Sequence, residues 1–446
     1  MSRSFYFLYQ FMLLALLPFL VIRFLARKKT KSFNEDFMVR FFGYSKALQK
    51  ENKKLKKNII WIHAVSLGEV QGALPLIEQL YKKDRLCNVV LTVTTKSAWK
   101  FMQNYLESEM FADLENFTVE ILPLDFPWAT ERFCKCFNPT VLALVETEIW
   151  PNLIYSCKKN QIKVMLINGR LSSRSFHLYK NLRRFFMPVI NEIDMVIAQS
   201  RNDSVRFIEL GYNKKVSVLN NLKFDVSLKK NHVVNGLWFR AQCKKKIVWL
   251  ALSTRDGEEK EIIDCWRNRF SPEMDEILIL VPRHPERFKK ALKEAQLAGF
   301  SVDTRTKFLR TEGVSSNPCP SILIGDSIGE VQMYLAASDI VLIGGSIKPF
   351  GGQNPLEACL QKKVIFFGDY MFNFQEISNG LINESAAIRI NRYRDWFAEG
   401  SEILKDKNKS KCFGDNAYNF IRKRSGSSTK YADLLLVDQR DINSNF

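Results

Sequence analysis

The sequence predicts an α/β chain of two doubly wound parallel-sheet domains behind an apolar N-terminal helix. Three observations predict it. From residue 58 onward, short apolar runs alternate with longer amphipathic stretches; the alternation loosens once, between Asn220 and Lys246, before a second series; and the chain opens on a nearly unbroken apolar segment. Apolar runs bounded by turns, with helical stretches between, are what buried parallel strands in βα units look like. Right-handed crossovers then put helices on both faces of each sheet.

The first element is Phe5 to Ile22, 18 residues interrupted only by Gln10 and Pro18. At about 1.5 Å per residue it reaches about 27 Å against a hydrocarbon core of roughly 30 Å, so a spanning and a shallow placement are both open. Arg23, Arg27, Lys28, Lys29 and Lys31 follow it, and the positive-inside bias places the remainder in the cytoplasm. The basic cluster stands on the wrong side for a cleaved leader, so an uncleaved anchor is expected. Residues 35–57, with Phe37, Phe41, Phe42, Leu48 and the lysines 53, 54, 56 and 57, read as an amphipathic helix near anionic lipid or as a solvated helix face.

The strands of the first domain are expected at Ile59 to Ile62, Val89 to Val93, Val119 to Leu122, Val141 to Val145, Val164 to Ile167 and Met195 to Ala198. Those of the second are expected at Ile247 to Leu252, Ile277 to Val281, Ile322 to Ile324, Ile340 to Ile343 and Val364 to Phe367. The resulting divisions are an anchor with its basic flank at 1–32, a first domain at 33–225, a linker at 226–245, a second domain at 246–390, and a helix and tail at 391–446. The stretch from Ser425-Gly426-Ser427-Ser428 onward is expected to fray.

Composition narrows the function classes. With 446 residues, 46% hydrophobic and 25% charged, the chain is neither disordered nor a multi-span transporter. The net charge of +19 is concentrated, +10 falling before residue 58 and +9 on the other 389 residues, which suits a membrane surface better than a nucleic-acid module. Nine scattered cysteines and four histidines, without HExxH or CxxC, give no disulfide framework and no zinc site. No GxxxxGK[ST] and no GxGxxG follows a strand, against a P-loop nucleotidase and a dinucleotide oxidoreductase. No D-x-D is present for a metal on a diphosphate, so no metal and no cofactor is expected.

Four motifs follow strands, where open α/β sheets bind ligands. In His63-Ala64-Val65-Ser66-Leu67-Gly68-Glu69, Ser66 and Glu69 have capping-box spacing, yet Glu69 at a helix N-terminus is also a candidate general base. Glu146-Thr147-Glu148-Ile149-Trp150-Pro151-Asn152 places two carboxylates two apart, on the same side if the segment is extended. Pro282-Arg283-His284-Pro285-Glu286-Arg287 offers three cations on a stiffened loop, Arg283 being matched to a phosphate. Gly325-Asp326-Ser327-Ile328-Gly329-Glu330 and Gly351-Gly352-Gln353-Asn354-Pro355-Leu356-Glu357 let backbone approach a ligand; Ser327/Glu330 and Asn354/Glu357 also have cap spacing.

Taken in order, HAVSLGEV, ETEIWPN, NGRLSSRSF, NLKFD, PRHPERF, GDSIGEV and GGQNPLEA resemble the motifs of the Kdo transferases, the 3-deoxy-D-manno-octulosonic acid transferases of lipopolysaccharide assembly, from about residue 33 to 380. The resemblance implies a GT-B glycosyltransferase: two Rossmann-like domains facing a cleft, acceptor-binding first and nucleotide-sugar-binding second, behind an N-terminal anchor. It implies inverting transfer of Kdo, one or several residues, from CMP-Kdo to the lipid A precursor at the cytoplasmic face of the inner membrane, with anionic lipid as a further partner and no nucleic acid. By motif position Glu69 would be the general base, and Glu148, in preference to Glu146, and Lys223 would stabilise the transition state. Pro282, Arg283, Ile328, Gly329, Glu330, Asn354, Pro355, Leu356 and Glu357 would surround CMP. The chain departs from the pattern at Arg255 and Gln353, where His is common, and at Asn220, where Gly is common. The alternatives are another GT-B lipid glycosyltransferase using a nucleotide-diphosphate sugar, and a non-catalytic basic protein binding membrane or nucleic acid.

Overall fold

The computed structural model of the chain describes residues 3–25, 31–44, 58–106, 116–271, 275–308 and 319–443. It divides into two compact units, one of residues up to Asp225 together with those from Ser425 onward, the other Val226–Arg424.

The first unit holds a parallel sheet of β1 (Ile59–His63), β2 (Asn88–Val93), β3 (Phe117–Ile121), β4 (Val141–Val145), β5 (Lys163–Gly169), β6 (Met195–Ala198) and β7 (Val216–Val218), in the order β3-β2-β1-β4-β5-β6-β7. Helices on both sides leave every residue of β1, β2 and β4 buried, which is why these strands read as continuous apolar runs and not as alternating ones. Each such Val, Leu or Ile contributes about 1.5 to 3 kcal/mol of burial. The order reverses between β1 and β4, and at such a switch point the loops after the two strands diverge and leave room for a ligand. Those loops carry Ser66-to-Glu69 and Glu146-to-Trp150.

The second unit repeats the plan with β8 (Ile247–Thr254), β9 (Glu276–Pro282), β10 (Val302–Thr304), β11 (Ile322–Ile324), β12 (Ile340–Ile343), β13 (Val364–Phe367) and β14 (Ile388–Arg389), ordered β10-β11-β9-β8-β12-β13-β14. Its switch point lies between β8 and β12. Gly344, which follows β12, admits no side chain, since a Cβ there would stand 2.5 Å from the Ser253 carbonyl oxygen.

Both ends of the linker-to-tail region differ from the expectation. Lys230–Cys243 is a helix of the second unit, its Gly236 seated so closely on Met333 and Ala336 that a Cβ would collide with both. Its apolar residues face both ways, Phe239 inward and Val234, Leu237 and Trp238 outward, which hid the helical period. The tail from residue 425, expected to fray, forms the helix Ser427–Asn443 in the first unit. Tyr431, Ala432 and Leu435 enter the core beside the helix Leu67–Lys83. The Asp225 carboxylate accepts the Gly426 and Ser428 amides where that helix begins.

The helix Arg3–Leu25 turns Leu13, Leu17, Leu20 and Val21 onto Phe41, Phe126 and Ala129 of the first unit. Phe7, Phe11, Leu14, Phe19 and Ile22 stand exposed on its other side. Among the described residues, no helix is long and apolar enough to cross a membrane. Most of the 35–57 amphipathic stretch, including Leu48 and its four lysines, lies outside the described residues.

Candidate active site

In the first unit Ser66 and Glu69 do cap their helix, with Glu69 reaching back to the Val65 amide. Ser66 is the N-cap of Leu67–Lys83 and accepts the Glu69 amide on Oγ at 3.3 Å. Ser66 Oγ–H donates to Glu69 Oε1 at 2.8 Å, and the Val65 amide donates to Glu69 Oε2 at 2.7 Å. Both oxygens are thereby fixed, yet each carboxylate oxygen has two acceptor positions, and the side chain is only half-buried. Burial raises the Glu69 pKa, the Ser66 hydroxyl pulls it back, and the charge of Glu146 adds repulsion.

The two acids after β4 separate, against the expectation that they share a side. Glu146 has φ +64, outside extended backbone, so the two-residue alternation breaks there. Its Oε1 accepts Lys223 Nζ at 3.0 Å, forming a part-buried ion pair. Glu148 instead accepts the Trp150 indole N–H at 2.7 Å on Oε2. Burial, then the charge of Glu69, raises Glu148 to about 7. The resemblance gave Glu148 and Lys223 a shared role; the lysine's partner here is Glu146.

Lys223 follows Asn221, whose side chain accepts its amide, in a short turn held to β5 by Asn168 Oδ1 accepting the Leu222 amide at 3.1 Å. Its stem passes over Gly72, where a methyl would stand 3.5 Å from Lys223 Cγ. Gly72 lay outside the motifs quoted from the sequence, and Asn168 entered only as the first residue of NGRLSSRSF; its φ of +52 is a backbone feature that a single sequence does not announce.

Beside this cluster, Tyr179 is raised by burial and by the charge of Glu148. Its helix Ser173–Asn181 and the next, Arg183–Ile190, expose Arg174, Lys180, Arg183 and Arg184 among the apolar Leu178 and Leu182. Of this surface the sequence reading had touched only Arg174, within the NGRLSSRSF motif.

In the second unit the three cations of the PRHPERF loop part company. Arg287 is consumed by structure, donating to Glu259 and Asp256. His284 Nε2 lies 2.7 Å from Arg255 Nη1 and must accept from it, consistent with burial and Arg255 lowering its pKa. Arg283 is exposed, follows Pro282 at the end of β9, and has its amide tied to the Thr254 carbonyl at 3.0 Å. Among the described residues neither Arg255 nor Arg283 pairs its guanidinium with a carboxylate. Arg255 is stacked 5.3 Å from the Phe350 ring centre. Two guanidiniums without a counter-charge favour an anion between or beside them.

Glu258, not singled out from the sequence, organises this region: buried Oε2 accepts the amides of Arg255 and Gly345, each at 2.7 Å, and Oε1 accepts the Tyr393 hydroxyl at 2.8 Å. Ile328 and Gly329 project at an exposed turn, with Gly329 at φ +82. Of the two cap spacings here, Ser327/Glu330 forms no box: Ser327 meets Tyr334 at 2.6 Å and Glu330 pairs with Arg305. Asn354 Oδ1 accepts the Leu356 amide at 3.0 Å, while Pro355 sits at the helix start and Glu357 accepts Gln332 Nε2 at 3.0 Å. Burial raises the Glu357 pKa. Pro282, which ends β9, and Arg283, Ile328, Gly329, Glu330 and the Asn354-to-Glu357 segment, in loops or helix starts, thus all belong to one unit.

The model of the family described as 3-deoxy-D-manno-octulosonic-acid transferase (kdotransferase) matches residues 36–226. The chain is 30% identical over 387 residues to the 3-deoxy-D-manno-octulosonic acid transferase of Haemophilus influenzae, spanning 84% of this chain and 86% of that one. It is 30% identical over 381 residues to the enzyme of the same name from Bordetella pertussis, with the same coverage of 84% and 86%. Among solved structures, a glycosyltransferase from Rickettsia africae shares the fold with a TM-score of 0.53 at 12% identity, over 86% of this chain and 98% of that one. The two doubly wound units are those of the GT-B class. Identity sustained along most of both sequences is what a shared fold alone does not produce, and on it the chain belongs to the 3-deoxy-D-manno-octulosonic acid (Kdo) transferase family of glycosyltransferases.

Proposed function

We propose that the chain moves Kdo from CMP-Kdo onto a hydroxyl of the lipid A precursor, with inversion. The acceptor oxygen bonds to the anomeric carbon, the bond from that carbon to the phosphate oxygen breaks, and CMP leaves with the electron pair. Glu69 takes the hydroxyl proton. The Lys223–Glu146 pair and Glu148 face the charge that develops as the bond loosens. Arg283 and Arg255 take the departing monophosphate, while Ile328 to Glu330 and Asn354 to Glu357 surround the rest of the nucleotide. A monophosphate leaving group needs less charge compensation than a diphosphate, so this reading requires no metal.

The observation that carries it is the acid cluster after β1 and β4: Lys223 neutralises Glu146, while burial and neighbouring acid charge raise Glu69 and bring Glu148 to about 7, as suits a site where a proton is taken up. The exposed Arg174, Lys180, Arg183 and Arg184 around Leu178 and Leu182 suit a phosphorylated, acylated acceptor. The outward apolar side of Arg3–Leu25 and the basic N-terminal sequence support a shallow seat on the anionic cytoplasmic face of the inner membrane.

Mass spectrometry of the product from purified full-length protein, CMP-Kdo and tetraacyl lipid A precursor tests this. A product heavier by one or more Kdo residues, with CMP released, is expected, and the mass reads how many are added. Transfer only from a UDP-sugar, or none from CMP-Kdo, contradicts it.

A further inference from the structure

The N-terminal helix does more than expose an apolar side. Its inner side presents Tyr6, Tyr9 and Gln10, three polar-tipped residues in the mainly apolar Phe5-to-Ile22 stretch, and all three meet groups at or next to one helix, Pro151–Lys159. Tyr9 Oη–H donates to Asp125 Oδ2 at 2.7 Å. Gln10 Nε2 donates to Asn152 Oδ1 at 2.5 Å. The Tyr6 ring stands edge-on to Tyr155 at 5.8 Å.

Asp125 occupies an unusual post. It belongs to the segment after β3 and is buried, yet its two oxygens accept the amides of Asn152, at 3.0 Å, and Leu153, at 2.8 Å. Its carbonyl also accepts the Asn152 side-chain amide. The N-cap residue of that helix, Trp150, supplies no side-chain capping bond. Asp125 is therefore a cap supplied from elsewhere in the chain, and it satisfies amides that would otherwise be buried without acceptors.

The helix so capped begins one residue after the acid loop ends. Glu146 to Trp150 span five residues between buried β4 and Pro151, and Glu148 is held to Trp150. One end of this loop is fixed by the sheet, the other by Asp125, and Asp125 is in turn held by Tyr9. We propose that Asp125 is a positioning residue, and that Tyr9, Gln10 and Asp125 form a latch by which the seating of the N-terminal helix sets the geometry of the Glu146-to-Trp150 acid loop. A helix docked on lipid then presents the loop in its working form, and one pulled away does not. The proposal rests on the transferase reading for its consequence in turnover, but not for the latch itself.

The test uses the full-length protein in anionic vesicles with Tyr9→Phe, Asp125→Asn and the double variant. Asn keeps the shape of Asp125 but turns an NH2 group toward one of the two amides. Hydrogen exchange at the Asn152 and Leu153 amides should quicken about tenfold in Asp125→Asn and severalfold in Tyr9→Phe. The double variant should be no worse than Asp125→Asn, because both substitutions open the same latch. Turnover on the lipid acceptor should fall by similar factors with the KM for CMP-Kdo unchanged. The acidic limb of kcat should move to lower pH, because a loosened loop lets water reach Glu148. Unchanged exchange at those amides in both single variants, additive effects, or an unmoved acidic limb overturns the proposal. Should Asp125→Asn not fold, Tyr9→Phe, which removes a single hydroxyl, decides the matter. If the wild-type chain transferred no Kdo, the transferase reading would fall while the exchange measurement still judged the latch.

Discussion

Glu148 keeps its proton longer than an ordinary glutamate because its environment is dry and Glu69 stands near. The sign of the consequence for stability follows from linkage. With a folded value near 7 against about 4.5 unfolded, the folded state binds more protons between those limits, so stability falls as pH rises through that window. Glu148→Gln removes the cost. The variant should match the wild type at pH 4.5 and exceed it by about 1 to 3 kcal/mol at pH 8, read from urea midpoints at the two pH values. Equal midpoints at pH 8 would show that Glu148 is ionised without strain. At this scale, local spacing told truly and distant pairing was hidden. The Ser66/Glu69 box is legible because its partners are three residues apart on one helix start. The Lys223–Glu146 pair spans 77 residues and depends on a positive φ that no side-chain pattern reports. Asp125 looked like any acid among apolar neighbours in LPLDFPW.

Among elements, the central strands were readable because parallel strands covered on both faces must be apolar throughout. The edge strands β7, β10 and β14 were not, being two or three residues long and partly polar, as edges of such sheets can be. Cap spacing at Ser327/Glu330 misled because Arg305 and Tyr334 offered those side chains stronger partners. The helix Ser427–Asn443 was obscured by the polar run before it, although Tyr431, Ala432 and Leu435 lie fully buried. Ending the chain at Arg424 would remove those side chains from the first core, a loss of about 5 kcal/mol by burial, comparable with the whole stability of many domains. The first unit should then unfold at a much lower temperature while the second keeps its transition, as followed by calorimetry. A first transition within about a degree of the intact chain's would deny this helix its structural role.

At the level of the whole molecule, the chemistry divides between two independently cored units. One sets Glu69 and Glu148 near the Lys223–Glu146 pair; the other, among the described residues, leaves two guanidiniums without a carboxylate partner. The basic excess toward the N-terminus, on which the proposed attraction to anionic lipid rests, was displayed openly by the sequence because charge needs no fold to be counted. In the proposed reaction Glu69, in the first unit, removes the acceptor proton while the second unit alone holds the nucleotide. Glu69→Gln keeps a side chain that can complete the capping box, with the Ser66 hydroxyl reversed to accept. The most direct measurement is turnover of this full-length variant with CMP-Kdo and lipid A precursor, taken alongside its affinity for CMP by calorimetric titration. The account predicts kcat lower by roughly 10² to 10⁴ at unchanged CMP affinity and melting temperature. Turnover within a few-fold of the wild type, or a parallel loss of CMP binding, would contradict it.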